Sequence, residues 1–477
     1  MSPSLGLVEH NLHEVRMQGE EARLLFHVPS SALFALDRLA AAMIDTLREK
    51  RHDVQQLTAR LGRVFSPAAI GETLSELMAL ELVSDGSPRP PPAPEKIDRF
   101  PLSTLVLNVN TGCNLACSYC YKADLATPSA GRKMSFETAR AAIELMLREA
   151  PDEKRYHISF FGGEPLTHRA LIEKVVTYCE ARFARLGKEH DFVMTTNATL
   201  LTDEVIDWLD AHAFGLSISI DGPQAIHDRN RRTVGGFGTY RTVRARAERL
   251  LSRYRSRPVG ARVTLTTGVT DVETIWDHLR NELGFAEVGF APVTSGDIAA
   301  FNLTENELKE IFAAFRRLGE RYVTEALAGR NIGFSNLHQL MTDLHEGHKK
   351  RLPCGAGLKM LAVDHEGGLN LCHRFTGSEL PVFGNVREGI QHAALGEFLL
   401  RRLDREGSAC ATCRIRNLCA GGCYHESHVR YGDPAHPVYH YCDLMRDWVD
   451  FGIAAYARIM ARNPGFIDSH LLPRRPR

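Results

Sequence analysis

The chain has 477 residues, more than one hydrophobic core of ordinary size accommodates, so we expect two to four domains. Hydrophobic residues make up 44% and charged residues 24%, and the 58 basic side chains are matched by 58 acidic ones. This balance excludes a strongly basic protein that binds nucleic acid or anionic membranes in bulk. No secretion signal and no apolar run of membrane-spanning length is recognisable, so we expect a cytoplasmic protein without nucleic-acid or membrane partners.

The first 86 residues predict a small module of one strand, three helices and a second strand. EARLLFHVP, residues 21 to 29, has the composition of a strand. SALFALDRLAAAMIDTLREK predicts an amphipathic helix with Ser30 or Ser31 as its N-cap, and two further helices begin at Asp53 and Ser66. LVSDG, residues 82 to 86, predicts the closing strand. This order is typical of a winged-helix-like module.

A proline-rich stretch, GSPRPPPAPEKIDRFP at residues 86 to 101, predicts a semi-rigid linker. Beyond it, short apolar strands alternate with helical patterns such as SFETARAAIELMLREA and THRALIEKVVTYCEARFARLG. The predicted strands are TLVLNVN, YHISFFGG, DFVMTTN, FGLSISIDG, ARVTLTT and EVGFAPV. Six βα units of this kind predict an α/β fold with a parallel sheet, an open or partial (β/α)6 TIM-like barrel, with functional groups at the carboxyl ends of its strands. Residues 301 to 345 are predicted to be helical.

The eleven cysteines are clustered, which in a reducing compartment indicates metal binding more than disulfide formation. Cys113, Cys117 and Cys120 lie in TGCNLACSYCYK, directly after the first predicted barrel strand. Cys179, on a helix, is predicted to be a buried structural thiol. A structural zinc site needs a fourth ligand, and a disulfide would leave one thiol over. An iron–sulfur cluster held by three thiolates leaves one iron open to a small molecule.

The CxxxCxxC spacing, with Tyr119 before the last cysteine, resembles the signature of the radical S-adenosylmethionine (SAM) enzymes. In that family the open iron of a four-iron four-sulfur (4Fe–4S) cluster binds SAM, which is cleaved to a 5′-deoxyadenosyl radical. FFGGEP, TTNATL and SISIDGPQAIHDRNR resemble further family motifs in the expected order, with Ala198 in place of the usual glycine. The resemblance implies a SAM site formed by Tyr119, Gly162, Gly163, Glu164, Pro165, Thr196, Asn197, Ser219 and Arg231.

Seven cysteines between residues 354 and 442 resemble the pattern of SPASM domains, which hold two auxiliary 4Fe–4S clusters in peptide-modifying radical SAM enzymes. The resemblance implies that the outer cluster is fully ligated by Cys410, Cys413, Cys419 and Cys442. It implies that the inner cluster is held by Cys354, Cys372 and Cys423, so that the chain carries three 4Fe–4S clusters in all. A zinc ribbon is the alternative interpretation of this spacing.

The predicted inner cluster is one ligand short, because Met360 stands where some relatives have an additional cysteine. Either another side chain completes the site, or it stays open for a substrate thiolate. CHRFTGSELPVFGNV, which begins at Cys372, resembles thioether-forming maturases. His373 is therefore a candidate catalytic base, and Asp221 is a rival candidate.

The N-terminal module resembles the precursor-peptide recognition domain fused to many peptide maturases, which binds a leader peptide as an added strand. Its predicted helices carry no basic stripe of the kind that DNA binding requires. The predicted organisation is a recognition domain at 1–88, a linker at 89–101, a radical SAM partial barrel at 102–300, a helical bridge at 301–349, a SPASM domain at 350–450, and a C-terminal helix and tail at 451–477.

Together these resemblances imply a maturase that joins cysteine sulfur to an unactivated carbon of a ribosomally made polypeptide. Its nearest likeness is to maturases of the quinohemoprotein amine dehydrogenase small subunit, whose thioethers involve aspartate or glutamate methylene carbons. The implied partners are a precursor polypeptide and a reductant such as flavodoxin or ferredoxin. Formylglycine formation or carbon–carbon crosslinking is an alternative maturase chemistry. A non-enzymatic iron–sulfur scaffold or DNA-binding regulator is the alternative from another class.

Overall fold

The structure is a computed structural model that describes residues 4–16, 23–87, 97, 99–121, 131–293, 300–376, 380, 382–438 and 440–471. Most of the predicted proline-rich linker and the predicted C-terminal tail lie outside the described residues, as does Lys122 at the end of the cysteine motif. Among the described helices, none is both long and apolar enough to cross a membrane.

The N-terminal module combines a three-stranded antiparallel sheet, in the order β2-β3-β4, with three helices and a small β1-β5 pair. Its elements are β1 Gly6–Leu7, β2 Leu12–Arg16, β3 Arg23–His27, β4 Ala32–Leu36, α1 Arg38–Glu49, α2 Val54–Leu61, α3 Pro67–Ala79 and β5 Val83–Ser84. On β3, Leu25 faces the core formed by these helices, whereas Leu24 and Phe26 belong to the larger core of the chain. The sheet therefore joins the module to the rest of the molecule.

The predicted start of the first helix was wrong. Ser31 has a left-handed φ of 58°, and the next five residues pair with β3 as strand β4 instead of continuing as helix. Pairing with β3 satisfies backbone groups that a helix would have used internally, and it overrides the helical hydrophobic pattern. The helix begins at Arg38, where Asp37 accepts a hydrogen bond of 2.7 Å from the Ala40 amide.

The other two predicted N-caps are confirmed. Asp53 accepts from the Gln56 amide and forms a reciprocal capping box with it. Ser66 accepts from the Ala69 amide, with Pro67 at the first helical position. Both side chains satisfy amides that have no partner within the first helical turn.

The predicted six-stranded parallel sheet is confirmed, with neighbouring strands in sequence order. The strands are β6 Thr104–Asn110, β7 Arg155–Gly162, β8 Glu189–Thr196, β9 Gly215–Ser219, β10 Val259–Leu265 and β11 Glu287–Pro292. The intervening helices are α4 Phe136–Glu149, α5 Arg169–Leu186, α6 Asp203–Ala211, α7 Gln224–Asn230, α8 Tyr240–Arg253 and α9 Val272–Asp277. Because the strands are parallel, the loops that follow them meet at one edge of the sheet.

The C-terminal third extends this sheet and covers it with helices. Its elements are α10 Glu305–Leu327, α11 Ser335–His345, β12 Met360–Val363, β13 Leu369–Asn370, β14 Gly384–Asn385, β15 Gly389–Ile390, α12 His392–Leu403, α13 Arg416–Cys419, α14 Tyr424–Tyr431, α15 Cys442–Arg462 and α16 Pro464–His470. Strand β12 lies parallel to β6, with Met360 opposite Thr104. Met360 packs against the hydrophobic core, which gives this residue a structural role.

Candidate active site

The first three cysteines lie on the loop that follows β6, at the edge where the parallel strands end. Two backbone hydrogen bonds tie this loop to the end of α7 and the residues after it, from the Ala116 amide to the Arg232 carbonyl at 2.8 Å and from the Ser118 amide to the Asn230 carbonyl at 3.0 Å. Cys113 is buried, and its sulfur accepts from the Leu115 amide at 3.4 Å. The loop is therefore held from several sides.

Burial raises the pKa of Cys113 to about 12 and that of Cys117 to about 11, with smaller contributions from nearby acidic groups and thiols. Their mutual influence places Cys113, Cys117 and Cys120 close together. Buried thiols of this kind are protonated at neutral pH, so binding iron in their thiolate form would release protons. Soft thiolates in a group of three suit an iron–sulfur cluster with one open iron.

The glycines of FFGGEP allow the end of β7 to lie directly against the cysteine loop. A Cβ atom at Gly162 would lie 2.2 Å from the Asn110 carbonyl oxygen, and one at Gly163 would lie 2.2 Å from that of Gly112. Gly162 also has a φ of 150°, which side chains disfavour. The Gly163 amide donates to the Asn110 carbonyl at 2.8 Å. Glycine is thus required here by close backbone approach.

Glu164 fastens the ends of β7 and β8 to each other. Its carboxylate is 1% exposed and accepts from the Thr196 hydroxyl at 2.7 Å, the Asn197 amide at 2.8 Å and the Leu166 amide at 3.1 Å. With both oxygens engaged, Glu164 positions its neighbours. Pro165 opens the short 3-10 helix Pro165–His168 and is buried outside the cavity lining.

Glu164 gives the fold a measurable pH dependence. Burial raises the pKa of Glu164 from 4.5 to about 7, against the opposing effect of its hydrogen bonds. The folded state therefore holds a proton that the unfolded state releases between these two values, and stability falls as pH rises through that window.

Relative to Glu164→Gln, which does not titrate, we expect the wild-type free energy of unfolding to fall by up to about 1.4 kcal/mol per pH unit in this window. Chemical denaturation of both proteins across the window measures the difference. A difference that does not change with pH would contradict this role of Glu164.

Asn197 connects the end of β8 to the cysteine loop. Its side-chain amide approaches the Cys113 sulfur at 3.8 Å and the Asn114 side-chain oxygen at 3.0 Å. Ala198 adopts a left-handed φ of 63°, the conformation for which the usual glycine of this motif is suited. The backbone thus keeps the turn, at a cost of roughly 1 kcal/mol for an L-residue.

Arg231 and Asp221 form a buried ion pair behind the cysteine loop, with Arg231 Nε donating to Asp221 Oδ2 at 2.9 Å. Burial alone would lower the pKa of Arg231, but Asp221, Tyr119 and Cys117 raise it, so the guanidinium stays charged. Tyr119 donates to the same carboxylate oxygen at 2.6 Å, and the Thr264 amide donates to the other oxygen at 3.1 Å.

Asp221 is 1% exposed and, among the described residues, is not part of the cavity lining. The Asp221 carboxylate accepts hydrogen bonds from three donors. This geometry favours a positioning role over the predicted role of catalytic base. His373, in contrast, lines the cavity, with its ring 4.1 Å from that of Phe161 between centroids.

A cavity of about 490 Å³ opens among these groups. Of the residues predicted for SAM, its lining contains Tyr119, Gly162, Gly163, Glu164, Thr196, Asn197, Ser219 and Arg231, together with Cys113, Cys117, Cys120 and His373. The lining also includes residues that were not among those predicted for the site, namely Leu115, Tyr121, Phe161, Thr195, Ser217, Arg262, Thr264, Ala291, Pro292, Val293 and Arg374. For Ser217, Arg262 and Thr264, the inward alternation along β9 and β10 is the signal that could have found them.

The segment after Cys372 lines the cavity next to Tyr121 of the first cysteine loop. Burial raises the pKa of the Tyr121 hydroxyl above its usual range, and the nearby thiols of Cys120 and Cys372 contribute to the shift. The Arg374 guanidinium lies 4.8 Å from the centre of the Tyr121 ring. The two cysteine groups are thus joined by a single layer of side chains next to the cavity.

Cys354, Cys372 and Cys423 come together behind this part of the cavity lining. Burial, with smaller contributions from the nearby thiols Cys423 and Cys354, raises the pKa of Cys372 to about 12. Cys354 and Cys423 lie near each other and are exposed. The predicted inner set is thus a group of neighbouring thiols in the structure.

The predicted outer set, Cys410, Cys413, Cys419 and Cys442, lines a separate cavity of about 160 Å³. Burial raises the pKa of Cys442 to about 11, and Cys419, Cys410 and Cys413 add to the effect. The left-handed residues Ala420, Gly421 and Gly422 turn the chain between the two sets. This turn directs Cys419 to the outer set and Cys423 to the inner one.

All eleven cysteines are free thiols. Within the described ranges, no group of three or more His, Cys, Asp or Glu side chains is arranged to hold a single metal ion.

Comparison with known proteins identifies related sequences. The family model of the Radical SAM superfamily matches residues 107–281. The serine-type anaerobic sulfatase-maturating enzyme of Klebsiella aerogenes is 25% identical over 342 residues, which cover 70% of this chain and 82% of that enzyme. The cysteine-type anaerobic sulfatase-maturating enzyme of Clostridium perfringens is 31% identical over 167 residues, which cover 32% of this chain and 42% of that enzyme.

Four curated relatives that are 31–36% identical match this chain over only 33–42% of their own length. Among solved structures, native anSMEcpe with bound AdoMet and Cp18Cys peptide superimposes with a TM-score of 0.64 at 19% identity, covering 76% of this chain and 99% of that chain. This similarity shows a shared fold.

Proposed function

We propose, starting from the match of residues 107–281 to the Radical SAM superfamily model, that this chain is a radical SAM maturase that forms thioether crosslinks in a ribosomally made polypeptide. The crosslink joins a cysteine sulfur to an unactivated carbon, for which we propose an aspartate or glutamate methylene. The substrate is a precursor polypeptide, and a flavodoxin or ferredoxin supplies the electron that starts each turnover.

The cofactors would be three 4Fe–4S clusters and SAM. Cys113, Cys117 and Cys120 would hold the SAM-binding cluster, whose chemistry is one-electron cleavage of SAM to a 5′-deoxyadenosyl radical. Cys354, Cys372 and Cys423 would hold the inner auxiliary cluster, which can accept an electron and bind a thiolate. Cys410, Cys413, Cys419 and Cys442 would hold the outer one. Each crosslink removes two hydrogens from the peptide. The carbon loses a hydrogen atom to the deoxyadenosyl radical, and the cysteine thiol loses a proton, while the surplus electron would pass to the inner cluster.

The observation that carries the proposal is that one set of three thiols lines the cavity and a second set begins directly behind its lining. Cys113, Cys117 and Cys120 line the cavity, and Cys372 of the second set immediately precedes His373, which also lines it. We propose that a peptide bound in this cavity lies near both sets. Proximity of this kind lets a carbon radical meet a fixed sulfur before it reacts elsewhere.

The chain's own side chains position the reactants. Ser219 and Arg231 face the cavity next to the first set, and Asp221 holds Arg231 in place. Glu164 and Asn197 brace the cysteine loop from the neighbouring strand ends. We propose His373 as the group that takes the proton from the substrate, because its ring is exposed to the cavity.

The N-terminal module is proposed to bind the precursor's leader as a strand on the β4 edge of its sheet. Strand β4 pairs with β3 on one side, and Phe34 at its centre is 37% exposed. An edge strand presents unpaired backbone groups to an incoming peptide. Arg416 and Asn417, in the segment between the outer cysteines, donate to the carbonyls of His10 and Val28, which fixes this module beside the cysteine region.

A second candidate is formylglycine formation. It is favoured by the related sulfatase-maturating enzymes, one of which matches 70% of this chain. The two chemistries differ in the functional group of the product. A thioether consumes a cysteine thiol without producing an aldehyde, whereas formylglycine formation creates an aldehyde.

The experiment uses reduced, reconstituted enzyme, SAM and a cysteine-containing precursor encoded beside the gene. We expect a product lighter by two hydrogens per bond, with one iodoacetamide-reactive thiol lost for each bond and no hydrazine-reactive aldehyde. An aldehyde without new carbon–sulfur linkage would replace this proposal with the formylglycine alternative. Absence of 5′-deoxyadenosine under strict anaerobiosis would favour a non-enzymatic scaffold.

Tyr424 offers a test of the inner cluster. Its hydroxyl is buried without a hydrogen-bond partner in the described part of the chain, and it is influenced by Cys354, Cys423 and Cys372. An unpaired buried hydroxyl is costly, and a cluster sulfur nearby would satisfy it.

We expect Tyr424→Phe to shift the midpoint potential of one auxiliary cluster to a more negative value, because a lost hydrogen bond disfavours the reduced form. Redox titration monitored by electron paramagnetic resonance measures the shift. Tyr431→Phe, at a position 40% exposed, is the matched control. Identical potentials and spectra in wild type and Tyr424→Phe would remove Tyr424 from the cluster environment.

A further inference from the structure

Arg262 lines the cavity from strand β10, the second strand from the β11 edge of the sheet. Alternate residues of β10, namely Val259, Ala261, Val263 and Leu265, are buried in the core. Arg262 and Thr264 point the other way and line the cavity. In the strand register Arg262 lies between Ser219 on β9 and Gly289 on β11. A Cβ at Gly289 would lie only 3.3 Å from Arg262 Nη1, so this glycine leaves room for the guanidinium.

The charge of Arg262 is not neutralised by the described protein. Within the described ranges, Arg262 forms no hydrogen bond or ion pair, although the charge of Glu287 attracts it over a longer distance. Glu287 itself accepts from the Ser335 hydroxyl at 3.1 Å. Arg231, the other arginine near the cysteine loop, already has Asp221 at 2.9 Å. Unlike Arg231, Arg262 therefore has no carboxylate in contact with it among the described residues.

A second guanidinium borders the same cavity. Arg374 is part of the lining and lies over the Tyr121 ring. The Arg262 side chain is exposed to the cavity, and Arg374 is near enough for its charge to act on Arg262. Two like charges in one cavity repel each other less when an anion lies between them. The Arg262 guanidinium presents a planar fork of donors that matches a carboxylate.

We infer that Arg262, facing Arg374, binds a carboxylate in this cavity, which no sequence motif indicated. Two reactants carry one: the methionyl group of SAM and an acidic side chain of the peptide. Naming these two sources rests on the proposed function, whereas the carboxylate preference rests on the charges alone. The register places Arg262 beside Ser219, which is compatible with either source.

The first arm of the test concerns SAM. Equilibrium dialysis on reconstituted protein gives the dissociation constants of SAM and of decarboxylated SAM, for wild type and Arg262→Gln. The quantity compared is the dissociation constant of decarboxylated SAM divided by that of SAM. If Arg262 binds the SAM carboxylate, this ratio should be about tenfold or more smaller in Arg262→Gln than in wild type. The ratio between the two ligands cancels effects of the substitution that do not depend on the carboxylate.

The second arm concerns the peptide. Two acetylated pentapeptides, Gly-Asp-Gly-Cys-Gly and Gly-Asn-Gly-Cys-Gly, are titrated into SAM-loaded protein by calorimetry. If Arg262 binds the substrate carboxylate, wild type should prefer the aspartate peptide, and Arg262→Gln should lose that preference by a similar factor. Arg262→Lys keeps the charge without the fork and should retain part of the preference.

Arg241→Gln is the matched control, because Arg241 is exposed on α8, outside the cavity lining. It should leave both preferences unchanged. Unchanged preferences in Arg262→Gln, in both arms and with normal iron content, would overturn the inference. Both arms measure binding, so they remain informative if the enzyme cleaves SAM without forming a thioether, which would count against the proposed function alone.

Discussion

Alanine in place of Cys113 is expected to lower SAM cleavage by at least about 10³-fold, the scale of loss when one member of a catalytic unit is removed. Cys113 is buried, and its sulfur accepts hydrogen bonds from the loop and from Asn197. Two remaining thiols cannot hold a cluster that needs three, so the electron that cleaves SAM has no donor. Production of 5′-deoxyadenosine, measured by chromatography after reduction with dithionite, gives the rate. The same loss is expected for Cys117→Ala and Cys120→Ala.

Cys179→Ala is the control for removing a cysteine. Cys179 is fully buried in α5 and belongs to none of the three thiol sets, so the substitution should cost stability and leave SAM cleavage largely intact. Iron analysis should show a loss of about four irons per chain in Cys113→Ala and none in Cys179→Ala. SAM cleavage by Cys113→Ala at the wild-type rate would contradict the assignment of the first set.

Alanine in place of Cys423 is expected to separate SAM cleavage from crosslinking. The inner set lies beyond the cavity wall, so its loss should leave 5′-deoxyadenosine formation within about tenfold of wild type, while thioether product falls by about 10²-fold or more. The physical reason is that the peptide sulfur and the surplus electron then have no acceptor. Both quantities are measured in one reaction, by chromatography of the nucleoside and mass spectrometry of the peptide.

Cys423 is also the N-cap of α14, so Cys423→Ser is a useful companion variant that approximately conserves side-chain size at the helix start. It should behave like Cys423→Ala if thiolate ligation is what matters. A normal yield of crosslinked peptide from both variants would show that the inner set takes no part in the reaction. Loss of SAM cleavage together with normal iron in the first set would point to a wider structural role for Cys423.

The positions of the strands and of the first cysteine loop could be predicted because they depend on local pattern. TLVLNVN and DFVMTTN are short apolar runs followed by polar residues, and the structure has strands Thr104–Asn110 and Glu189–Thr196 there. Parallel strands bring the segments after them to one edge whatever the details of packing. Motifs that follow strands therefore converge without further information.

Residues that face the cavity from a strand interior could not be predicted with the same ease. Arg262 follows no motif, and its position depends on the register of β10 against β9 and β11. Tyr121 and Arg374 meet across some 250 positions of chain, a contact that only tertiary packing creates. The misplaced cap at Ser30 or Ser31 has the same origin, because pairing with β3 outweighed the helical pattern.

The proposal of His373 as the catalytic base also depends on geometry. As isolated residues, Asp221 and His373 are equally plausible proton acceptors. In the structure three donors converge on the Asp221 carboxylate, and the His373 ring borders the cavity. Hydrogen-bond saturation cannot be deduced from spacing, since Tyr119, Arg231 and Thr264 come from three different elements.

Transfer of deuterium from the peptide to 5′-deoxyadenosine tests the central claim most directly. The precursor is prepared with deuterium at the methylene carbons of aspartate and glutamate and allowed to react with SAM and reduced enzyme. The account predicts one deuterium in 5′-deoxyadenosine for each cysteine thiol that becomes unreactive to iodoacetamide. Unlabelled 5′-deoxyadenosine, formed while the thiols stay reactive or an aldehyde appears, would contradict it.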